Sequence, residues 1–210
     1  NKNYSFTIST QVESAAGQSY DTSIKGTTVT FSSVPDADEY YTATVTAAAT
    51  SVVDNVDGTI TIMDLPIGTY TVTENTENVS INRYRFDGVS YQAGEAEGSE
   101  VTLTGAEGEN ATVAVTNRYT ELIDIIIHKT GKDNSGLADA QFQLYYTEDG
   151  TNYYYCETTT GEGEDAVTTV SWITLSEESD APQPTTLTSG SDGNLTFRDL
   201  DSSRTYYLVE

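Results

Sequence analysis

The chain has 210 residues, which is room for one or two domains each able to bury a core of its own. Nine basic against 33 acidic residues give a formal charge of −24, a field that repels nucleic acid and anionic membrane and excludes both as natural partners. Hydrophobic content is only 36%, yet 15 tyrosines and abundant Thr and Val favour β-structure, and no apolar run approaches the ~20 residues of a membrane span.

Read in chain order, segments with period-2 alternation recur throughout. Strands are expected at Tyr4–Ile8, Thr59–Ile62, Thr69–Glu74, Val101–Thr104 and Thr112–Asn117. In the second half they are expected at Ile123–Lys129, Gln141–Tyr146, Leu195–Phe197 and Thr205–Glu210. Turn signals separate them at Asp57-Gly58, Asp87-Gly88, Ser135-Gly136, Asp149-Gly150 and Asp192-Gly193. No sustained helical period exists; Ala43–Ala49 suits a turn of helix but is rich in Thr and Val. The acidic stretch Gly161–Ala181, interrupted by Trp172, reads as a long loop or an inserted hairpin. The fold class is all-β.

An internal repeat sets the domain count. Asp57–Leu65 (DGTITIMDL) is echoed by Asp192–Leu200 (DGNLTFRDL), and Thr69–Glu74 (TYTVTE) by Thr205–Glu210 (TYYLVE). Each unit reads hairpin, short turn, strand, glutamate. This predicts two domains, 1–120 and 121–210, with little room for a linker.

Side-chain parity then marks polar residues on apolar faces. Tyr70, Val72 and Glu74 share a face, as do Tyr206, Leu208 and Glu210; Lys129 joins Ile123, Ile125 and Ile127, and Asn117 joins Val113 and Val115. An unpaired buried charge costs several kcal/mol, so these groups must be paired, neutralised or released to solvent at the strand end where each lies. A lysine in an apolar core becomes a neutral amine nucleophile, and a carboxyl beside it stays protonated. Such an acid can polarise an Asn carboxamide and shuttle protons as ammonia leaves. The product is a Lys–Asn isopeptide bond, formed once on folding, with proximity supplied by the fold.

The residues of the second half resemble a known family. Ile127-His128-Lys129-Thr130 followed by Gly136–Tyr145 is similar to the opening strands of the collagen-adhesin B-type (Cna-B, SpaA-like) domains of Gram-positive surface proteins. Asp192-Gly193, Leu200 and Tyr206–Glu210 resemble that family's glutamate box. In the first half, Lys2–Ile8, Leu65–Glu74 and Val113–Asn117 resemble the related major-pilin domain. The resemblance implies two tandem immunoglobulin-like β-sandwiches in a pilus or wall-anchored adhesin, at the extracellular cell surface. It makes Lys129 an isopeptide nucleophile, Glu74 and Glu210 the assisting acids, and Asn117 an acceptor. It places the first domain's lysine upstream of residue 1, where Lys2 is a poor substitute, and the second domain's acceptor beyond Glu210. The first domain is thus expected to lack its first strand and the second its last, supplied by flanking sequence or by a neighbouring copy. Partners implied are other copies or pilin subunits, joined by strand complementation or sortase linkage, and a host surface ligand.

Other motifs carry less. Leu65-Pro66-Ile67-Gly68-Thr69 is a turn, since a sorting signal has Thr and Gly in the opposite order. Asp54–Gly58 resembles part of a calcium loop without its downstream glutamate, so a plain turn is expected and no metal or other cofactor. Cys156 is the single cysteine, reads as a buried or edge thiol and excludes an intrachain disulfide. His128, the sole histidine, has outward parity and no Ser or Cys companion, so nothing suggests an enzyme. The alternative function is a host-protein or glycan binding module using the acidic, Tyr-rich insertion 147–185, which includes Tyr153-Tyr154-Tyr155.

Overall fold

The computed structural model describes residues 2–49, 58–161, 163, 166–176, 178 and 181–210. Asp54–Asp57, and with them the calcium-like motif and the first residue of the repeat, lie outside the described residues. Among the described residues the regular structure is antiparallel sheet, apart from two single turns of 3-10 helix at Glu13–Ala15 and Thr76–Asn78. Two compact units emerge: Asn1–Ile81 with Phe86–Tyr119, and Asn82–Arg85 with Thr120–Glu210.

In the first unit, β1 (Lys2–Thr10) lies between β4 (Tyr41–Ala49) and β5 (Gly68–Asn75), with β8 (Glu100–Leu103) beyond β5. A small hairpin, β2 (Ser19–Asp21) and β3 (Thr28–Thr30), packs beside them. Alternation drives this arrangement: in β5 Tyr70 and Glu74 are buried while Thr69 and Thr73 face water. Ile8, Val29, Phe31, Val45 and Tyr70 form the core, with Phe31 edge-on to both Tyr20 and Tyr70. The chain then forms β6 (Tyr84–Ala93), β7 (Ala96–Glu97) and the 16-residue β9 (Val113–His128). Tyr119 is the last residue of the first unit, so β9 passes from one unit into the other.

In the second unit, β10 (Gln141–Glu148) pairs with β11 (Thr151–Thr160) through the expected Asp149-Gly150 turn, whose residues have φ 49° and 77°. Two successive positive φ values are what a two-residue hairpin demands. β12 (Val167–Ile173) follows on β11, while β13 (Leu187–Thr188) and β15 (Tyr207–Val209) both pair with β10. The second half of β9 pairs with β14 (Asn194–Asp201). Phe142, Leu144, Tyr155, Leu195, Phe197 and Leu200 form the core, with Ile123, Ile125 and Ile127 packed on it from β9.

Several expectations are corrected. Ala43–Ala49 is strand, as its β-branched content favours. Asp87-Gly88 is no turn; both lie inside β6, where Gly88 takes φ 135° and lets the extended chain continue through a conformation closed to other residues. Among the described residues Thr59–Ile62 makes one bridge, Ile62 to Thr22, held by Ser23 N–H donating to Thr61 O and Met63 N–H donating to Asp21 O. The repeat nonetheless keeps a conformational signature: Asp64 and Asp199, at matching positions, have φ 60° and 54°. At Asp199 this accompanies a register shift between Phe197 and Leu200, and Asp is among the few residues that tolerate it. Gly161–Ala181 contains the second strand of an inserted hairpin, β12, whose seven residues pair with β11 without a break.

Candidate functional site

Glu74 enters the first unit's interior because β5 alternates, and Phe6 of β1 is its register partner. Only 4% of the glutamate is exposed. Asn117, brought in by β9 on the face shared with Val113 and Val115, donates from Nδ2 to Glu74 Oε1 at 2.8 Å. The Glu74 backbone N–H donates to the Tyr91 hydroxyl at 2.9 Å. Burial pushes the Glu74 carboxyl above the ordinary glutamate range, and the hydrogen bond from Asn117 offsets this only in part.

Two buried polar atoms in this pocket lack a partner among the described residues, Glu74 Oε2 and Asn117 Oδ1. Both are oxygens. A proton on Oε2 turns that atom into a donor, and the Asn117 carbonyl is the acceptor left vacant, so one proton suits both orphans. A neutral acid bonded to a carboxamide is also the form that polarises the amide carbon towards attack. Nearby, the Tyr119 hydroxyl donates to Val79 O at 2.9 Å and lies 3.4 Å from the Tyr4 hydroxyl. Burial first, then Tyr4, then the Glu74 charge raise the Tyr119 phenol, which stays protonated.

Lys129 follows β9 by one residue, at the same parity as Ile123, Ile125 and Ile127. Its backbone is clamped: Lys129 N–H donates to Gly193 O at 2.8 Å, and Leu137 N–H donates to Lys129 O at 2.9 Å. A Cβ on Gly193 would stand 2.2 Å from Lys129 O, and one on Gly136 2.2 Å from Asp192 O, so both turns require glycine for backbone to touch backbone. The ammonium reaches both Glu210 oxygens, at 2.5 and 2.7 Å, and sits 5.8 Å from the Phe142 ring centre.

The four residues singled out by parity thus fall into two pairs, Glu74–Asn117 and Lys129–Glu210. Glu210 is corrected in one respect: it is not inward-facing. β15 is a three-residue strand with Tyr207, Leu208 and Val209 each at least 40% exposed, and the Glu210 side chain is 54% exposed. The Lys129 side chain is 28% exposed. Tyr91 and Tyr119 were not marked by the sequence, and the glycine clamp was foreshadowed only as the turn signals Ser135-Gly136 and Asp192-Gly193.

Lys2 lies in β1 opposite Ala49. Cys156 is buried, its Sγ 3.5 Å from Gln183 O. His128 Nδ1 and Asn194 Oδ1 pair at 2.8 Å on the exposed face. Among the described residues no cluster of three or more His, Cys, Asp or Glu could hold a metal ion, and no helix is long and apolar enough to cross a membrane.

Residues 6–120 match a family described as a domain of unknown function, DUF5979, and residues 123–210 match the SpaA prealbumin-like fold domain. The chain belongs to the DUF5979 family, and its second unit is a SpaA prealbumin-like domain. No curated protein and no solved structure matches the chain. The SpaA prealbumin-like fold is a β-sandwich, in keeping with the all-β architecture, and such pilin-type domains are structural, non-enzymatic modules. At the level of the family, the role of this DUF5979–SpaA chain is that of a pilin-type structural protein.

Proposed function

We infer that the DUF5979–SpaA chain is a segment of the shaft of a Gram-positive surface pilus or wall-anchored adhesin, its strands stapled by self-formed Lys–Asn isopeptide bonds. The observation that carries this reading is the buried Glu74–Asn117 pair with its two orphaned oxygens. Packing alone gains nothing from burying an acid whose carboxyl is pushed towards neutrality; an amide-activating acid requires it.

In this reading a neutral lysine amine attacks Asn117 Cγ, the Cγ–Nδ2 bond breaks, and Glu74 relays the proton that lets ammonia depart. Amine plus carboxamide give secondary amide plus ammonia, so no oxidant or cofactor enters. In the second unit Lys129 is the nucleophile and Glu210 the assisting acid. The amine for Asn117 and the amide for Lys129 come from flanking sequence or a neighbouring copy. Closing that second site would bring Glu210 out of water. The bonds would carry tension past a ladder whose hydrogen bonds contribute only ~0.5–1.5 kcal/mol each. Other pilin subunits are the natural partners, and the cell surface the natural location.

A glycan-stacking role for 147–185 has less behind it. Tyr153 stacks on Tyr146 at 5.1 Å, Tyr154 packs on Tyr145 at 5.4 Å, Trp172 stacks on Tyr206 at 5.5 Å, and Tyr155 is fully buried. These rings serve the unit's own packing.

Intact-mass measurement on the full-length protein tests the proposal. The expected result is a deficit of one ammonia for each stapled unit, with one deficit removed by Lys129→Ala. An undiminished mass, or an unchanged deficit in that variant, refutes it.

A further inference from the structure

β12 ends its sheet, paired with β11 on one side only among the described residues. An edge strand leaves a row of backbone donors and acceptors open to another chain, and proteins blunt such edges with charge, proline, bulges or shortness. β12 has none of these. Its sequence, VTTVSWI, holds no charged residue, no proline and no glycine, and its seven pairs with β11 run without a register shift. The other outer strands of this unit are β13 and β15, two and three residues long, and β14, which carries Arg198, Asp199 and Asp201 and has a register shift. β4 of the first unit is also uncharged, but there Ser32 covers the edge by bonding Thr42 through its own N–H and its hydroxyl.

The β12 edge is kept rigid and presentable. Trp172 packs against Tyr155, Tyr146 and Tyr206 and roots the strand in the core. The Thr169 and Ser171 hydroxyls donate back to Thr158 O and Cys156 O of β11. Val167 is 57% exposed.

Charge chooses the occupant. Between Lys132 and Arg198 the sequence has no basic residue and 12 acidic ones. A second copy approaching β12 brings the same acidic stretch and is repelled, whereas a strand flanked by lysine or arginine is drawn in. We propose that β12 is a strand-addition site for an extended peptide segment with a β-branched, uncharged centre and basic flanks. Backbone hydrogen bonds supply affinity and the flanking cations select the partner.

The probe is a synthetic Thr/Val heptapeptide with two lysines at each end, titrated calorimetrically into the whole chain with amide hydrogen exchange read in parallel. Binding is expected to protect amides within Val167–Ile173 and to weaken as salt rises. Val167→Lys, at a position 57% exposed, is expected to lower affinity about tenfold, while Val167→Glu preserves it, Trp172 fluorescence reporting that both variants fold. A glutamate-flanked peptide, or one N-methylated along its backbone, is expected not to bind. Equal binding of either control, or no protection in β12, overturns the proposal. So does concentration-dependent self-association of the peptide-free chain through β12, which would make a second copy the occupant.

Discussion

Replacing Asn117 by leucine tests whether the interior pair of the first unit is a matched set. Leucine keeps the branched shape and heavy-atom count of Asn but donates nothing, so Glu74 Oε1 loses its 2.8 Å bond and joins Oε2 as an unpartnered buried oxygen. Leaving a buried polar group unpaired costs about 1–3 kcal/mol. Opening of the first unit should therefore become roughly 5- to 150-fold more frequent. Glu74→Leu should cost a similar amount by stranding the Asn117 amide. The double variant, with both partners apolar, should return to within about 1 kcal/mol of the parent chain. Amide hydrogen exchange of β5 in the whole chain reads the first unit, and urea unfolding followed by Trp172 fluorescence reads the second as an internal control. Additive costs, with the double variant the least stable, would mean that the two side chains act independently and would refute the pairing.

Glu74→Gln should raise the first unit's stability at neutral pH, because the glutamine amide can accept from Asn117 Nδ2 and donate to Asn117 Oδ1 at once. The sign for the parent follows from the raised carboxyl: its stabilisation is full below the unfolded-state value of about 4.5 and is lost as pH rises through the folded-state value. Exchange protection of β5 in the glutamine variant should lack that decline. Asp201 behaves oppositely. Burial disfavours its charge, but hydrogen bonds from Ser203 and the Arg85 guanidinium prevail and hold it below the aspartate value of 3.8. Its contribution is present above that value and lost as pH falls through the folded-state value, so Asp201→Asn should flatten the acid limb of second-unit unfolding. Gly193→Ala should destabilise the second unit by about 3 kcal/mol or more, since its Cβ meets Lys129 O at 2.2 Å at φ 79°; urea unfolding followed by Trp172 measures it. Lys129→Ala, by contrast, removes a part-exposed ion pair worth only about 0–1 kcal/mol unless the lysine is covalently engaged.

Much of this was written in side-chain alternation. Ile123, Ile125, Ile127 and Lys129 share a face because strand period is fixed by backbone geometry, and the same rule placed Glu74 and Asn117 correctly. It failed for Glu210 because parity says which side a residue faces, not whether anything lies on that side. Turn chemistry was legible where two adjacent residues needed positive φ, as at Asp149-Gly150, and misleading at Asp87-Gly88, where glycine serves an extended strand. The repeat aligned Asp64 with Asp199, which share a left-handed backbone in the structure, but it did not give their pairing, which depends on distant neighbours: β14 finds β9, while 58–64 finds the end of β2. Tyr91 reaches the Glu74 backbone, and Tyr119 reaches Val79 and Tyr4, across sequence separations that no local pattern records.

Cross-linked peptide sequencing of a proteolytic digest of the full-length protein goes most directly to the stapling chemistry. The expected result is one branched peptide joining a lysine to Asn117 and another joining Lys129 to a side-chain amide, the first absent from Glu74→Gln. Recovery of both the Asn117 and the Lys129 peptides wholly linear, with free carboxamide and free amine, would contradict it.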